Sequence, residues 1–142
     1  MRRRRIERDI ALLLESSHYI CNTDKDSVTV IVDGPRETPY EDGRFRLRLH
    51  FPDSYPFVPP QVRFLTRVYH PNFSRDGHVC VDTLKETWSP ALSAPAVVIT
   101  VAQLMSTPNP DDPLLEEAAE LMSRDVQAFD ETARMWTHKY AR

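Results

Sequence analysis

Residues 44–51 read RFRLRLHF, in which polar and apolar side chains alternate throughout. Successive side chains of a β-strand point to opposite faces, so this pattern predicts a strand with one buried and one solvent-facing side. Residues 28–32 alternate in the same way before an Asp-Gly-Pro turn, and a shorter apolar run at 62–65 follows a proline-rich segment. Together they predict an antiparallel sheet with one apolar face.

Helical patterns lie on both sides of these strands. Apolar residues recur at helical spacing in residues 3–16, and the mostly apolar run 97–105 predicts a largely buried helix. Asp112-Pro113 is typical of an N-cap followed by proline, which predicts a helix from there to about residue 123. Apolar residues in steps of three and four predict a last amphipathic helix over 126–140. The fold class is therefore α+β, a meander sheet with helices packed on one side.

Two segments show no regular period. Residues 17–26 are polar and are predicted to form a loop, and residues 66–95 are predicted to be irregular. An irregular segment of that length is uncommon in a small domain and is often functional. It contains His70-Pro71-Asn72, Cys80 and Trp88-Ser89-Pro90.

Length and composition limit the possibilities. A chain of 142 residues is expected to form one domain over 1–142, and a net charge of -3 argues against nucleic-acid binding of the basic kind. The sequence has no secretory signal and no apolar run long enough to cross a bilayer, so we expect a cytoplasmic or nuclear protein whose thiols, Cys21 and Cys80, are free. Charge is uneven: arginines crowd the first helix and acidic residues gather between 111 and 120. A basic end on an acidic body suggests a local docking face.

Cys80 is the candidate nucleophile, although a cysteine taken alone is better explained by burial as a small apolar residue. His70 and His78 with Cys80 do not form a zinc pattern, because the sequence lacks a paired-cysteine motif, so no metal is expected. No protease signature surrounds Cys80 and a histidine either. Cys21 is expected to be structural or incidental.

Five sequence motifs decide between these interpretations of Cys80: YPFVPP at 55–60, HPN at 70–72, GHVCVDTL at 77–84, WSPAL at 88–92 and PNPDDPL at 108–114. With these strings in this order, essentially the whole chain resembles the ubiquitin-conjugating enzyme family. The resemblance implies a first helix, a four-stranded antiparallel meander, a catalytic segment and three further helices. It also implies that an activating enzyme loads ubiquitin as a thioester, and that a RING-type ligase promotes transfer to a lysine amine. No metal or organic cofactor is implied, since the activating enzyme uses the ATP.

The same resemblance assigns the site. Cys80 would carry the thioester, and Asn72 would either stabilise the oxyanion of the transition state or hold the loop through hydrogen bonds. Asp112 would face the incoming lysine, cap a helix, or do both. Three supporting residues are implied. His70 would anchor the loop together with Pro71, and Leu114 would shape the mouth of the site. Asp82 matches an acidic position that the family often has.

Docking positions follow from the resemblance too. Phe57, Pro90 and Ala91 match the positions that meet RING-type ligases, and an exposed apolar patch of this kind is typical of partner binding. Arg4 and Arg5 match positions that contact the activating enzyme and, in part, the ligase. The alternatives are a core position for Phe57 and a solvated helix face or a nuclear-targeting patch for the arginines.

The subfamily and the alternatives remain open at this level. Some strings resemble the chain-building member that works with a catalytically inactive variant, whereas YPFVPP resembles the broad-specificity, RING-partnered class. The segment before residue 27 is shorter than in these relatives, which predicts an abbreviated first strand. The main alternative is a non-catalytic scaffold of the same fold that binds ubiquitin or a partner enzyme, and another ubiquitin-like modifier is a second alternative. The presence of both Cys80 and Asp112 argues against the scaffold.

Overall fold

A computed structural model describes residues 2–15 and 19–142; the side chains of residues 19–22 and 81–82 lie outside the description. Helices and strands follow one another in the order α1 Arg2–Glu15, β1 Tyr19–Thr23, β2 Ser27–Asp33, β3 Arg44–His50, β4 Gln61–Phe64, α2 Val81–Thr87, α3 Ala94–Ser106, α4 Glu116–Arg124 and α5 Val126–Tyr140. The α+β class and the three helices at the carboxyl-terminal end, predicted from the sequence, are confirmed.

The sheet is an antiparallel meander in which each strand pairs with the next, in the order β1-β2-β3-β4. The register places Val30 opposite Leu47, and Leu47 opposite Phe64, so three strands bury side chains at the same level. The alternation in β3 is confirmed, because every second residue from Phe45 to Leu49 is fully buried and the arginines between them are exposed. One face of the sheet therefore belongs to the core and the other faces solvent.

The core joins this inner face to the helices. One cluster contains the buried side chains of β2, β3 and β4 together with Ile6 and Leu13 of α1, Val98 and Val101 of α3, and Phe129 of α5. Helix α3 is buried along one side only, since its Ile99 is 55% exposed. No described helix is both long and apolar enough to cross a membrane.

Two segments predicted to be irregular contain regular structure. Residues 17–26 include β1, a strand of five residues whose pairing with β2 shifts register between Ile20 and Asn22. Segment 66–95 includes α2, which has seven residues and begins directly after Cys80. Both elements are too short to produce a recognisable period. At the end of β4 the prediction was wrong by one position, because Leu65 lies outside the strand and is half exposed.

The predicted N-cap at Asp112 was wrong. Helix α4 begins at Glu116, and Leu115 occupies its cap position without a side-chain hydrogen bond. The reason is a tertiary contact: the backbone N–H groups of Leu114 and Leu115 both donate to the carbonyl of Pro71, at 2.8 and 3.0 Å. That contact holds the preceding residues in a turn, which leaves Asp112 exposed outside the helix.

Candidate functional site

A groove with a volume of about 700 Å³ runs beside Cys80. Its walls are mostly apolar and come from the proline-rich segment before β4, the β4 strand, the start of α2 and the turn before α4: Pro52, Val58, Pro59, Pro60, Gln61, Val62, His78, Val79, Cys80, Leu84, Lys85 and Leu114. Cys80 is half-buried, and its thiol is free. The groove therefore offers a thiol that a bound chain could reach, on a surface that an extended apolar segment could follow.

His70 fixes the segment that leads to this groove. Its ring is fully buried, stacks on Phe73 with ring centres 4.3 Å apart, and has both nitrogens in hydrogen bonds. Nε2 donates to the carbonyl of Leu104 at 2.9 Å, and Nδ1 accepts from the backbone N–H of Asn72 at 3.0 Å. Burial lowers the pKa of His70 to about 4, against the weaker opposing effect of the Leu104 hydrogen bond. A neutral ring that is satisfied at both nitrogens has no free ligand atom and acts as an anchor.

Asn72 clamps the turn before α4. Its Nδ2 donates to the carbonyl of Asn109 at 2.7 Å and, at 3.4 Å, to that of Asp112, while its Oδ1 accepts from the N–H of Asn109 at 2.8 Å. Pro71 holds the other end of the same turn through its carbonyl. These contacts join the HPN segment to the turn before α4, which we call the acidic turn. Both the nitrogen and the oxygen of the Asn72 side-chain amide are engaged in them.

The acidic turn brings two of the predicted residues to the surface. Asp112 is exposed, and its carboxylate has no hydrogen bond or ion pair with any residue in the described part of the chain. Leu114, two positions on, is 41% exposed and lines the groove of Cys80. The predictions for Asp82 and Cys21 concern side chains outside the description.

The predicted docking residues form an exposed surface. Phe57 is 77% exposed, which makes the alternative of a core position wrong, and Pro90 and Ala91 are exposed as well. The two segments are joined beneath this surface, because Trp88 donates from Nε1 to the carbonyl of Pro56 at 2.9 Å. An exposed aromatic side chain on a braced loop can bind a partner with little loss of conformational entropy.

Arg4 and Arg5 differ in a way that the sequence does not show. Arg4 is exposed. The guanidinium of Arg5 donates to the carbonyls of Pro90 and Leu92 and forms an ion pair with Asp9, with Nε 3.1 Å from Oδ2. Arg5 therefore ties α1 to the docking surface, and Arg4 is the one of the two whose charge is presented to solvent.

The sequence analysis did not identify the buried carboxylate of Asp9, which pairs with Arg5. Asp9 is fully buried in α1, and its Oδ2 also accepts a hydrogen bond from the hydroxyl of Tyr55. Burial, followed by this hydrogen bond, raises the pKa of Tyr55 well above its ordinary value. The available signal was an acid four residues after Arg5 and one position before Ile10, on the apolar side of the helix.

Comparison with known proteins agrees with this architecture. The family model of ubiquitin-conjugating enzymes matches residues 5–137. The E2 domain of a ubiquitin conjugating enzyme from Toxoplasma gondii has a similar structure, with 34% sequence identity, a TM-score of 0.90, and 98% of each chain covered. A protein from Plasmodium yoelii that is assigned to the same enzymes has 33% identity and a TM-score of 0.88, over 96% of this chain and 93% of that one. The family suggested by the sequence is thus confirmed, and this chain belongs to the ubiquitin-conjugating enzymes.

Proposed function

We propose that this chain accepts ubiquitin from an activating enzyme as a thioester on Cys80 and transfers it to a lysine amine. The observation that carries the proposal is the free, half-buried thiol of Cys80 beside an apolar groove whose mouth includes Leu114. In a member of this family, that groove suits the extended end of ubiquitin, whose carboxyl carbon would reach Sγ. Both parts of the reaction can then occur at one sulfur atom.

The chemistry is two acyl transfers. First, Sγ of Cys80 attacks the thioester carbon of ubiquitin on the activating enzyme; a new C–S bond forms, the old one breaks, and the departing thiolate takes up a proton. Next, the neutral amine of a lysine attacks the same carbon, Cys80 leaves as a thiolate, and the surplus proton of the amine passes to solvent. The product is an isopeptide bond. ATP is used by the activating enzyme, and the residues of this site supply the second transfer without a metal or an organic cofactor.

Asp112 acts on the lysine in this proposal. Its carboxylate is exposed and without a protein partner among the described residues, so it is available to bind an approaching ammonium group and orient it for proton loss. Asn72 acts through position: it holds the carbonyls of Asn109 and Asp112, and with them the turn that carries Asp112 and Leu114. Its contacts support the loop-holding role over direct stabilisation of the oxyanion.

Phe57, Pro90 and Ala91 would receive a RING-type ligase on the exposed surface described above. Arg4 would contribute its solvent-facing charge to the activating enzyme or the ligase, and Arg5 would keep the Pro90 segment in place from below. A catalytically inactive partner enzyme would extend this arrangement to chain building.

The test is a single-turnover discharge. Enzyme loaded with ubiquitin is separated from the activating enzyme and mixed with free lysine, and loss of the thioester is followed on gels. We expect Asp112→Ala to load normally and to discharge about 10- to 100-fold more slowly, because an orienting and proton-handling group is lost. The matched control is Asp111→Ala, which removes the neighbouring exposed carboxylate and should discharge at the wild-type rate.

Two further results complete this test. Cys80→Ser should accumulate a stable oxyester, because an alkoxide is a poorer leaving group than a thiolate. Equal discharge by the Asp111 and Asp112 variants would contradict the role of Asp112. Failure of the wild type to discharge to any amine would contradict the proposed transfer and would favour the scaffold.

A further inference from the structure

One buried oxygen atom connects the two loops that form the exposed docking surface. Oδ2 of Asp9 accepts a hydrogen bond from the hydroxyl of Tyr55, which lies two positions before Phe57. The same oxygen is 3.1 Å from Nε of Arg5, whose guanidinium donates to the carbonyl of Pro90 at 2.8 Å. Each loop is therefore held by a side chain that Asp9 binds. We call Arg5, Asp9 and Tyr55 the Asp9 cluster.

Ring contacts extend the Asp9 cluster into both loops. The ring of Tyr55 lies 5.6 Å from that of Trp88, measured between ring centres. Nε1 of Trp88 in turn donates to the carbonyl of Pro56 at 2.9 Å. The guanidinium carbon of Arg5 is 5.9 Å from the centre of the Tyr55 ring, so the two side chains that Asp9 binds also pack on each other. A shift of Tyr55 would therefore reach Trp88 and both loops.

An acid at this position is unfavourable for folding. Asp9 is fully buried, and its other oxygen, Oδ1, has no hydrogen-bond partner among the residues that the structure describes. Removing a carboxylate from water with one oxygen unpartnered opposes folding even when the other oxygen is paired. The neighbouring buried positions of α1 carry Ile6 and Leu13, and an apolar residue in place of Asp9 would avoid this cost. Stability alone therefore does not account for the acid.

A different set of contacts holds the residues that are proposed to act in the transfer. His70 is bound to the carbonyl of Leu104, and Asn72 is bound to the backbone of Asn109. These hydrogen bonds have no residue in common with the Asp9 cluster. A change in the cluster can therefore alter the docking loops while the acidic turn stays in place.

We infer that Asp9 is a positioning residue for the ligase-stimulated reaction: its buried carboxylate fixes the loop of Phe57 relative to the loop of Pro90. The nature of the partner rests on the proposed function, whereas the placement of the loops does not. A surface whose loops are fixed before binding loses less conformational entropy when a partner binds. Loss of the carboxylate should therefore weaken binding of the ligase and leave the rate of discharge at saturating ligase unchanged.

Four variants of the full chain separate positioning from stability. Asp9→Asn removes the charge and keeps the size of the side chain, and Asp9→Glu restores a carboxylate. Tyr55→Phe removes the hydroxyl and keeps the ring. The stability control is Val30→Ala, which shortens a fully buried side chain of β2, outside both loops and outside the Asp9 cluster. Urea unfolding is measured for each variant, and all assays are run where every variant is folded.

The first readout is the placement of the loops, which needs no ligase. The indole N–H signals of Trp88 and Trp136 are recorded by NMR, with Trp136, which packs on Tyr69, as the internal control. We expect the Trp88 signal to shift or broaden in Asp9→Asn, to return toward its original position in Asp9→Glu, and the Trp136 signal to stay in place. An unchanged Trp88 signal in Asp9→Asn, or an equal change in Val30→Ala, would overturn the inference.

The second readout is single-turnover discharge to lysine, titrated with an isolated RING domain. The probe is the RING domain that stimulates the wild type most strongly in a panel of such domains. We expect Asp9→Asn to need at least about tenfold more of this domain for half-maximal stimulation, with the maximal rate and the unstimulated rate within about twofold of the wild type. Tyr55→Phe should show a smaller change in the same direction.

Two results of the titration would overturn the inference. One is a lower maximal rate in Asp9→Asn with the same half-maximal concentration, and the other is an equal increase of that concentration in Val30→Ala. A wild type that loads ubiquitin but responds to no RING domain would contradict the ligase part of the proposed function. The NMR comparison would still decide whether Asp9 positions the loops, so the two failures are distinguishable.

Discussion

Replacement of Asn72 by alanine tests whether this residue works through the turn that it holds. The side chain is almost fully buried and makes two short hydrogen bonds to the backbone of Asn109, together with a longer one to Asp112. Two good hydrogen bonds at about 1 kcal/mol each give an expected loss of about 2 kcal/mol in the free energy of unfolding. The rate of discharge to lysine should also fall in this variant, because the turn that loses these hydrogen bonds carries Asp112 and Leu114.

The assay pairs urea unfolding with single-turnover discharge on the same preparation. Asn109→Ala is the matched control: it keeps the backbone groups that Asn72 contacts and removes one exposed side-chain hydrogen bond to Asp111, for an expected loss below about 1 kcal/mol. An Asn72→Ala variant that unfolds like the wild type but discharges slowly would refute the reasoning. It would show that the amide acts on the reacting carbonyl and does not brace the turn.

Three further predictions concern stability and docking. The pKa of His70 is about 4 in the folded state and about 6.5 in the unfolded state, so the unfolded state binds the proton first as pH falls, and the free energy of unfolding should drop by about 3 kcal/mol between these values. Urea unfolding measured at several pH values in this range should show a smaller dependence of the unfolding free energy on pH for His70→Gln than for the wild type. Arg5→Ala leaves the buried carboxylate of Asp9 without its ion-pair partner and should cost about 3 kcal/mol, whereas Arg4→Ala should change the unfolding free energy by less than about 0.5 kcal/mol; equal effects would contradict the bridging role of Arg5. Phe57→Ala should load with ubiquitin at the wild-type rate yet lose about tenfold or more in ligase-stimulated discharge, and an undiminished response to the ligase would exclude this side chain from the interface.

The sequence predicted the parts of the fold that depend on repeated local patterns. Strand β3 was readable because its alternation continues for seven residues and one face of the sheet is buried. Helix α5 was readable because Phe129 and Ala133 recur on one side. Strand β1 and helix α2 were not readable, since each is short and β1 has a break in its pairing. Their structure depends on neighbours that are distant in sequence.

The site divides in the same way. Residue type and motif were enough to nominate Cys80, but the start of α4 was misplaced because the carbonyl of Pro71, about forty positions away, binds two N–H groups of that turn. The predicted pair Arg4 and Arg5 separated for a similar reason: the partners of Arg5 are Pro90 and Leu92, which only the tertiary fold brings near α1. Long-range hydrogen bonds decided the details that local pattern left open.

The most direct test of the central claim is the site of loading. The chain is incubated with activating enzyme, ubiquitin and ATP, and its intact mass is measured before and after treatment with a thiol. We predict one added ubiquitin that the thiol removes, full loading of Cys21→Ala, and none of Cys80→Ala. An adduct that persists in Cys80→Ala, or no adduct on the folded wild type when a control enzyme loads, would contradict the account.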